Sequence, residues 1–211
     1  MTEWPGCWPM SREPGYADLP VSVPGATSRR RQRISRAFFG RQSPEVARDL
    51  LGSWLVRRRE RLVQAVQICE TEAYLGEADS ASHARMGPTP RNQPMYGPPG
   101  FAYVYFIYGM HHCLNVVTGP VGLPQAVLIR GARPSAQLLG RRLDGPARIC
   151  AALDIDLRHN RLDLCRGRGG ELWLEVGERI PEVAVLVGPR VGVKDQSPLR
   201  FRIADSVGPK R

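Results

Sequence analysis

Glu70, Glu72 and Tyr74 fall at alternate positions of Glu70-Thr71-Glu72-Ala73-Tyr74-Leu75-Gly76, at the end of an apolar run that begins at Leu62. In an extended chain alternate side chains share a face, so two carboxylates and a phenol lean to one side. A carboxylate held beside an aromatic wall at a strand's exit suits general-base chemistry. The same pattern also suits two solvated acids at a strand end. A second segment, Tyr103-Val104-Tyr105-Phe106-Ile107-Tyr108-Gly109-Met110, puts Tyr103 and Tyr105 on one face and Tyr108 at a turn. Aromatics along a strand ordinarily fill a core. A tyrosine beside glycine at a hairpin tip has nothing of its own to pack against, and in a basic protein it can wedge between base pairs.

The elements that must position these residues follow from periodicity and punctuation. Ser43-Pro44-Glu45 opens a helix, with a capping hydroxyl, a first-turn proline and an acid facing the dipole. Val46, Leu50 and Leu51 form its buried stripe, and Gly52 ends it. Trp54–Arg57 and Leu62–Glu72 read as strands around a charged turn. Residues 86–100, rich in proline and glycine, read as loop. Phe101–Tyr108 and Cys113–Thr118 pair as a hairpin about Gly109-Met110, and Gln125–Arg130 is a further strand. Gly145–Ile155 reads as a helix, and Glu171–Val176, Val183–Val187 and Leu199–Ile203 as strands. The strands do not alternate regularly with crossover helices. The expected fold is one α+β domain, a curved, mostly antiparallel sheet surrounded by helices, with a protruding β-hairpin.

Charge narrows the partner. Among 211 residues, 30 Lys and Arg face 20 Asp and Glu, a formal +10. That balance favours an anionic polymer. Lys194 and Lys210 are the only lysines, so amine-nucleophile chemistry has two candidates, both near the C-terminus. Residues 1–33 hold five prolines and end in Arg29-Arg30-Arg31 and Arg33. They are expected to form a disordered basic tail ahead of a folded domain at 34–211, either an arm that holds nucleic acid or a solvated extension. No apolar run reaches the roughly 18 residues of a transmembrane helix. The first residues lack the apolar core of a signal peptide, which predicts a cytoplasmic, nucleoid or nuclear location rather than secretion. The five cysteines contain no Cys-x-x-Cys pair. His83, His111, His112 and His159 form no ligand set at metal spacing, and neighbours such as His111 and His112 point to opposite faces of a strand. No metal or cofactor is expected.

From Phe39 through Arg133 the sequence resembles the alkyladenine (3-methyladenine) DNA glycosylases of base-excision repair. The likeness is carried by Ala47-Arg48-Asp49-Leu50-Leu51-Gly52, the Glu70–Gly76 motif, His83 and Thr89-Pro90-Arg91-Asn92. It continues through Tyr103-Val104-Tyr105, Tyr108-Gly109-Met110, Cys113-Leu114-Asn115 and Val127-Leu128-Ile129-Arg130. Gly145-Pro146, Arg190-Val191-Gly192-Val193 and Pro198-Leu199-Arg200-Phe201 extend it towards the C-terminal end. The resemblance implies an enzyme that flips a damaged purine out of double-stranded DNA and hydrolyses its glycosidic bond. It implies Glu72 as the base that activates water and Arg130 as the group that helps hold both. Tyr74 would form one wall of the base pocket, and His83 with Tyr105 the other. Asn115 would exclude the amine of normal guanine, while Tyr108 and Met110 would enter the duplex. With no lysine near the matching pocket segments, an abasic site without strand cleavage is expected, from a monomer. His111-His112 stand where family members commonly carry aromatics, and the connections at 135–144 and 194–197 are shorter than usual. Two rival classes are a damage-binding protein without turnover and a basic RNA-binding module.

Overall fold

The structure is a computed structural model that describes residues 31–166 and 170–204. The expected tail therefore lies outside the described residues as far as residue 30. Two short helices, α1 (Arg36–Phe39) and α2 (Ser43–Asp49), precede the sheet. Five strands follow: β1 (Trp54–Arg59), β2 (Leu62–Tyr74), β3 (Ala102–Ile107), β4 (His111–Thr118) and β5 (Gln125–Pro134). Helix α3 (Pro146–Leu153) then leads to β6 (Leu172–Glu175), β7 (Val185–Gly188) and β8 (Arg200–Ile203).

The sheet runs β3-β4-β5-β2-β1-β6, with β8 also on β2 and β7 on β8. Every pairing is antiparallel. The α+β expectation holds: a curved antiparallel sheet forms a half-barrel. The helices are few and short. One face of the sheet packs on Phe39, Leu50, Ile149 and Leu153, which are buried with Leu55, Ile68, Leu114 and Ile129. No helix among the described residues is long and apolar enough to cross a membrane. Cys69, Cys113, Cys150 and Cys165 form no disulfide.

Several local expectations change. Gln42, not Ser43, is the N-cap of α2. Ser43 Oγ donates to the Tyr74 carbonyl at 3.1 Å, and the Ser43 N–H donates to Gln125 Oε1 at 2.9 Å. The hydroxyl thus ties the helix to the end of β2 instead of capping it. Gly52 turns the chain at φ +82°, where a Cβ would lie 2.1 Å from the Glu178 carbonyl oxygen, so only glycine fits. The strand expected from Val183 starts at Val185, because residues after Pro181 form a 3-10 turn over Glu182–Ala184. Ordered pairing also begins before Ile34. Val176 N–H donates to the Gln32 carbonyl at 2.7 Å, and the Arg33 guanidinium lies 4.2 Å from the Trp173 ring centroid. Arg31 covers Trp54 in the same way at 4.1 Å. Cation–π contact and edge pairing dock the end of the basic run against β1 and β6.

Candidate active site

The second half of β2 leaves β1, pairs with β8 and keeps β5 on its other edge. Glu72 stands opposite Leu128, two residues before Arg130 on the same strand, so both side chains reach one face. The β2–β5 ladder is irregular on either side of Glu70, which pairs with Gly131 while Arg130 has no register partner. Bulges of this kind re-aim side chains beside functional sites. Gly131 is needed there, since a Cβ would lie 2.9 Å from Glu70 Cβ.

Glu72 is 1% exposed. Its Oε1 accepts from the Val191 N–H at 2.9 Å, and its Oε2 from the Tyr74 hydroxyl at 3.0 Å. Arg130 Nε lies 3.1 Å from Glu72 Oε1 and 3.4 Å from Glu70 Oε1. Its N–H is aligned with neither, so the contact is Coulombic rather than a hydrogen bond. Arg200 approaches Glu70 from β8 at 3.5 Å. A carboxylate this deep is sustained by a cation and two donors. Burial and the Glu72 charge push the Tyr74 phenol well above its ordinary range, which keeps it a donor.

A cleft of about 460 Å³ opens above Glu72. Tyr74, His83, Tyr105, Asn115, Arg130 and Tyr108 all line it, so all but one of the expected site residues converge. Met110 is outside that lining, 69% exposed beside the hairpin tip. His83 is carried by a loop that Asn92 pins, donating from Nδ2 to the carbonyls of His83 at 2.8 Å and Gly87 at 2.9 Å. The His83 ring meets Tyr105 edge-on at 4.5 Å, and its Nδ1 lies 2.9 Å from the Tyr103 hydroxyl. Partial burial and the nearby Arg91 charge lower its pKa, favouring neutral imidazole. Burial outweighs Arg91 at Tyr103 and raises that phenol to about 12. Asn115 stands opposite Tyr103, donates to its carbonyl at 3.2 Å and is 4% exposed.

Tyr108 and Gly109 turn the hairpin with φ of +54° and +67°. Glycine accepts that conformation freely, while tyrosine is strained in it. Tyr108 is 83% exposed, so among the described residues little packing repays the strain. His111 lines the cleft, and His112 packs on Phe106 at 4.9 Å.

Three contributors escaped sequence reasoning: the Val191 N–H, Arg190 and Asp79. Arg190 Nη1 and Nη2 bind the Asp79 carboxylate at 2.5 and 2.8 Å, with side chains 0% and 2% exposed. Arg190 also donates to the Ala73 carbonyl at 3.0 Å and Asp195 at 2.7 Å, and lies 4.7 Å from the Tyr74 ring centroid. An acid after the Gly76 turn and an arginine opening Arg190-Val191-Gly192-Val193 were the available signals. A backbone donor has none. Lys194 lines a neighbouring hollow that shares Ala81, His83 and Val193 with the cleft, closer than its sequence position suggested. Among the described residues lining the cleft itself there is no lysine.

The family described as methylpurine-DNA glycosylase matches residues 37–207. A Myxococcus xanthus relative, provisionally named a 3-methyladenine DNA glycosylase, is 46% identical over 179 residues, covering 82% of this chain and 91% of its own. One from Anaeromyxobacter dehalogenans with the same provisional name is 50% identical, covering 81% and 80%. Another from Streptomyces avermitilis, again so named, is 43% identical, covering 82% and 88%.

Proposed function

This chain belongs to the methylpurine-DNA glycosylase family, and from that premise we propose that it is a monofunctional enzyme that releases alkylated purines from duplex DNA and leaves an abasic site. The observation that carries the reading is the Glu72 carboxylate, 1% exposed on the floor of an aromatic cleft. Each of its oxygens engages one donor and keeps capacity to accept from a water. Glu72 takes a proton from that water as its oxygen attacks the sugar C1′. The C1′–N bond breaks, and its electron pair leaves with the purine. Alkylation at N3 or N7 gives the purine a positive charge that the departing pair neutralises. A neutral base such as hypoxanthine needs a proton as well. Arg130, 3.1 Å from Glu72, helps hold the carboxylate and the water.

The walls favour the same substrate. Tyr74 on one side, and Tyr105 with His83 on the other, offer π surfaces to a flipped cationic base, worth about 1–2 kcal/mol per desolvated contact. A neutral His83 does not repel that charge. Asn115 excludes the exocyclic amine of guanine by occupying its space. Tyr108 fills the gap left by the flipped nucleotide, which offsets part of the few kcal/mol of unstacking. Arginines on a chain of formal charge +10 hold the phosphates.

The test is a panel of duplexes carrying 3-methyladenine, 7-methylguanine, hypoxanthine or ethenoadenine, incubated with excess protein. Free base should appear from the alkylated duplexes, and the strand should break only after alkali treatment. Tight binding without base release would select a damage-binding protein. Strand cleavage without alkali, or an adduct trapped by borohydride, would show an amine nucleophile.

A further inference from the structure

Arg190 is a cation with a fully buried side chain, and no step above uses it. Its guanidinium grips Asp79 through both terminal nitrogens, at 2.5 and 2.8 Å, and takes Asp195 and the Ala73 carbonyl as further acceptors. Asp79 is itself fixed, since its carboxylate accepts from the backbone N–H groups of Leu75 and Ala81, each at 3.0 Å. Burial alone would raise the Asp79 pKa, but Arg190 and those two amides outweigh it and hold the group ionised. The cluster joins three segments that meet at the cleft: the exit of β2, the 75–81 turn that leads to His83, and the strap at 190–195. The residue after Arg190 supplies the Val191 N–H to Glu72 Oε1 at 2.9 Å. The guanidinium also backs the Tyr74 ring at 4.7 Å.

The geometry points to Arg190 as a positioning residue that, clamped by Asp79, sets the Val191 N–H on the catalytic carboxylate and fixes the Tyr74 wall. This rests on the reading of Glu72 as the base. Arg190 touches neither that carboxylate nor a base in the cleft; it acts through its chain neighbour and through Tyr74. A lysine cannot replace it, because a single ammonium lacks the planar fork that holds Asp79, Asp195 and the Ala73 carbonyl together. Removing the arginine outright would strand the Asp79 charge, so the informative variant keeps the cation.

The experiment compares the wild type, Arg190→Lys, Asp79→Asn and Glu72→Gln in single-turnover release of 3-methyladenine at saturating protein, across pH, with binding to the same duplex measured separately. Arg190→Lys should slow release 10- to 100-fold while lesion binding changes less than about threefold. The acid limb of its rate profile should move to higher pH, because a carboxylate that loses a donor is protonated more easily. Asp79→Asn should behave likewise. Wild-type rates in Arg190→Lys, or a loss that matches a loss of folded protein and leaves the pH profile in place, would overturn the proposal. A Glu72→Gln protein that still releases base would instead overturn the reading on which it rests. If Asp79→Asn does not fold, the lysine variant decides alone.

Discussion

Tyr108 holds a strained backbone and is the residue proposed to enter the duplex, and replacing it with glycine separates the two. Its φ of +54° costs an L-residue roughly 1–2 kcal/mol, and Tyr108→Gly relieves that cost. Against the relief stand about 0.5–1 kcal/mol for glycine's freedom in the unfolded chain, and the small burial of a residue that is 83% exposed. The terms nearly cancel, so stability should stay within about 1 kcal/mol of the wild type, a change in melting temperature of no more than roughly 2–4 °C for a chain of this size. Engagement of DNA should suffer far more. Stacking of a base on an aromatic ring is worth about 1–3 kcal/mol, which converts to roughly 5- to 150-fold weaker capture of the flipped nucleotide. Thermal melting of the free protein and titration of base release against protein concentration read the two quantities independently. A melting temperature lowered by 8 °C or more would mean that the tyrosine packs in the free fold. Unchanged capture would mean that the ring does not enter the duplex.

Three further outcomes are expected. Asn115→Ala should permit slow release of undamaged guanine, measured by chromatography of the freed bases; guanine that stays in the strand would remove Asn115 from the selectivity argument. Gly131→Ala introduces a Cβ at 2.9 Å from Glu70 Cβ and 3.1 Å from Glu70 Oε2. It should cost about 1–3 kcal/mol in denaturant unfolding and slow base release by shifting the carboxylate that shares Arg130, whereas wild-type stability would show that the strand edge has room. His83 has a lowered pKa, so below about pH 6.5 the unfolded chain takes up a proton that the folded ring resists. Stability should therefore fall as pH drops through that window, and His83→Gln should flatten the slope between pH 7 and 5; an identical slope in the variant would assign the effect to other groups.

What the sequence disclosed was local. Alternation in Leu62–Glu72 revealed the central strand, and because the strand runs on to Tyr74 past the irregularity at Glu70, Glu72 and Tyr74 share a face. Gly109 marked the hairpin tip, and the helix expected over Gly145–Ile155 is α3, shortened to Pro146–Leu153. The helix start at Ser43 was displaced by one residue because tertiary demand redirected its hydroxyl to Tyr74. The last part of the basic run, Arg31 and Arg33, read as tail until Trp54 and Trp173 were brought beneath it from β1 and β6. The clamp was least legible. Asp79 and Arg190 are 111 positions apart, and no periodicity links a turn after one strand to a strap before another. The Val191 donor is a backbone group, which residue identity does not announce.

The Glu72 carboxylate is the base in the proposed chemistry, and single-turnover release of 3-methyladenine by Glu72→Gln tests that role directly. The amide preserves the volume; with its oxygen on the Val191 N–H its NH2 faces the Tyr74 hydroxyl, which can turn to accept, so folding and lesion binding should persist. Release should fall by at least 100-fold, as general-base removal typically costs. Release at the wild-type rate by a folded, DNA-bound Glu72→Gln protein would contradict the mechanism.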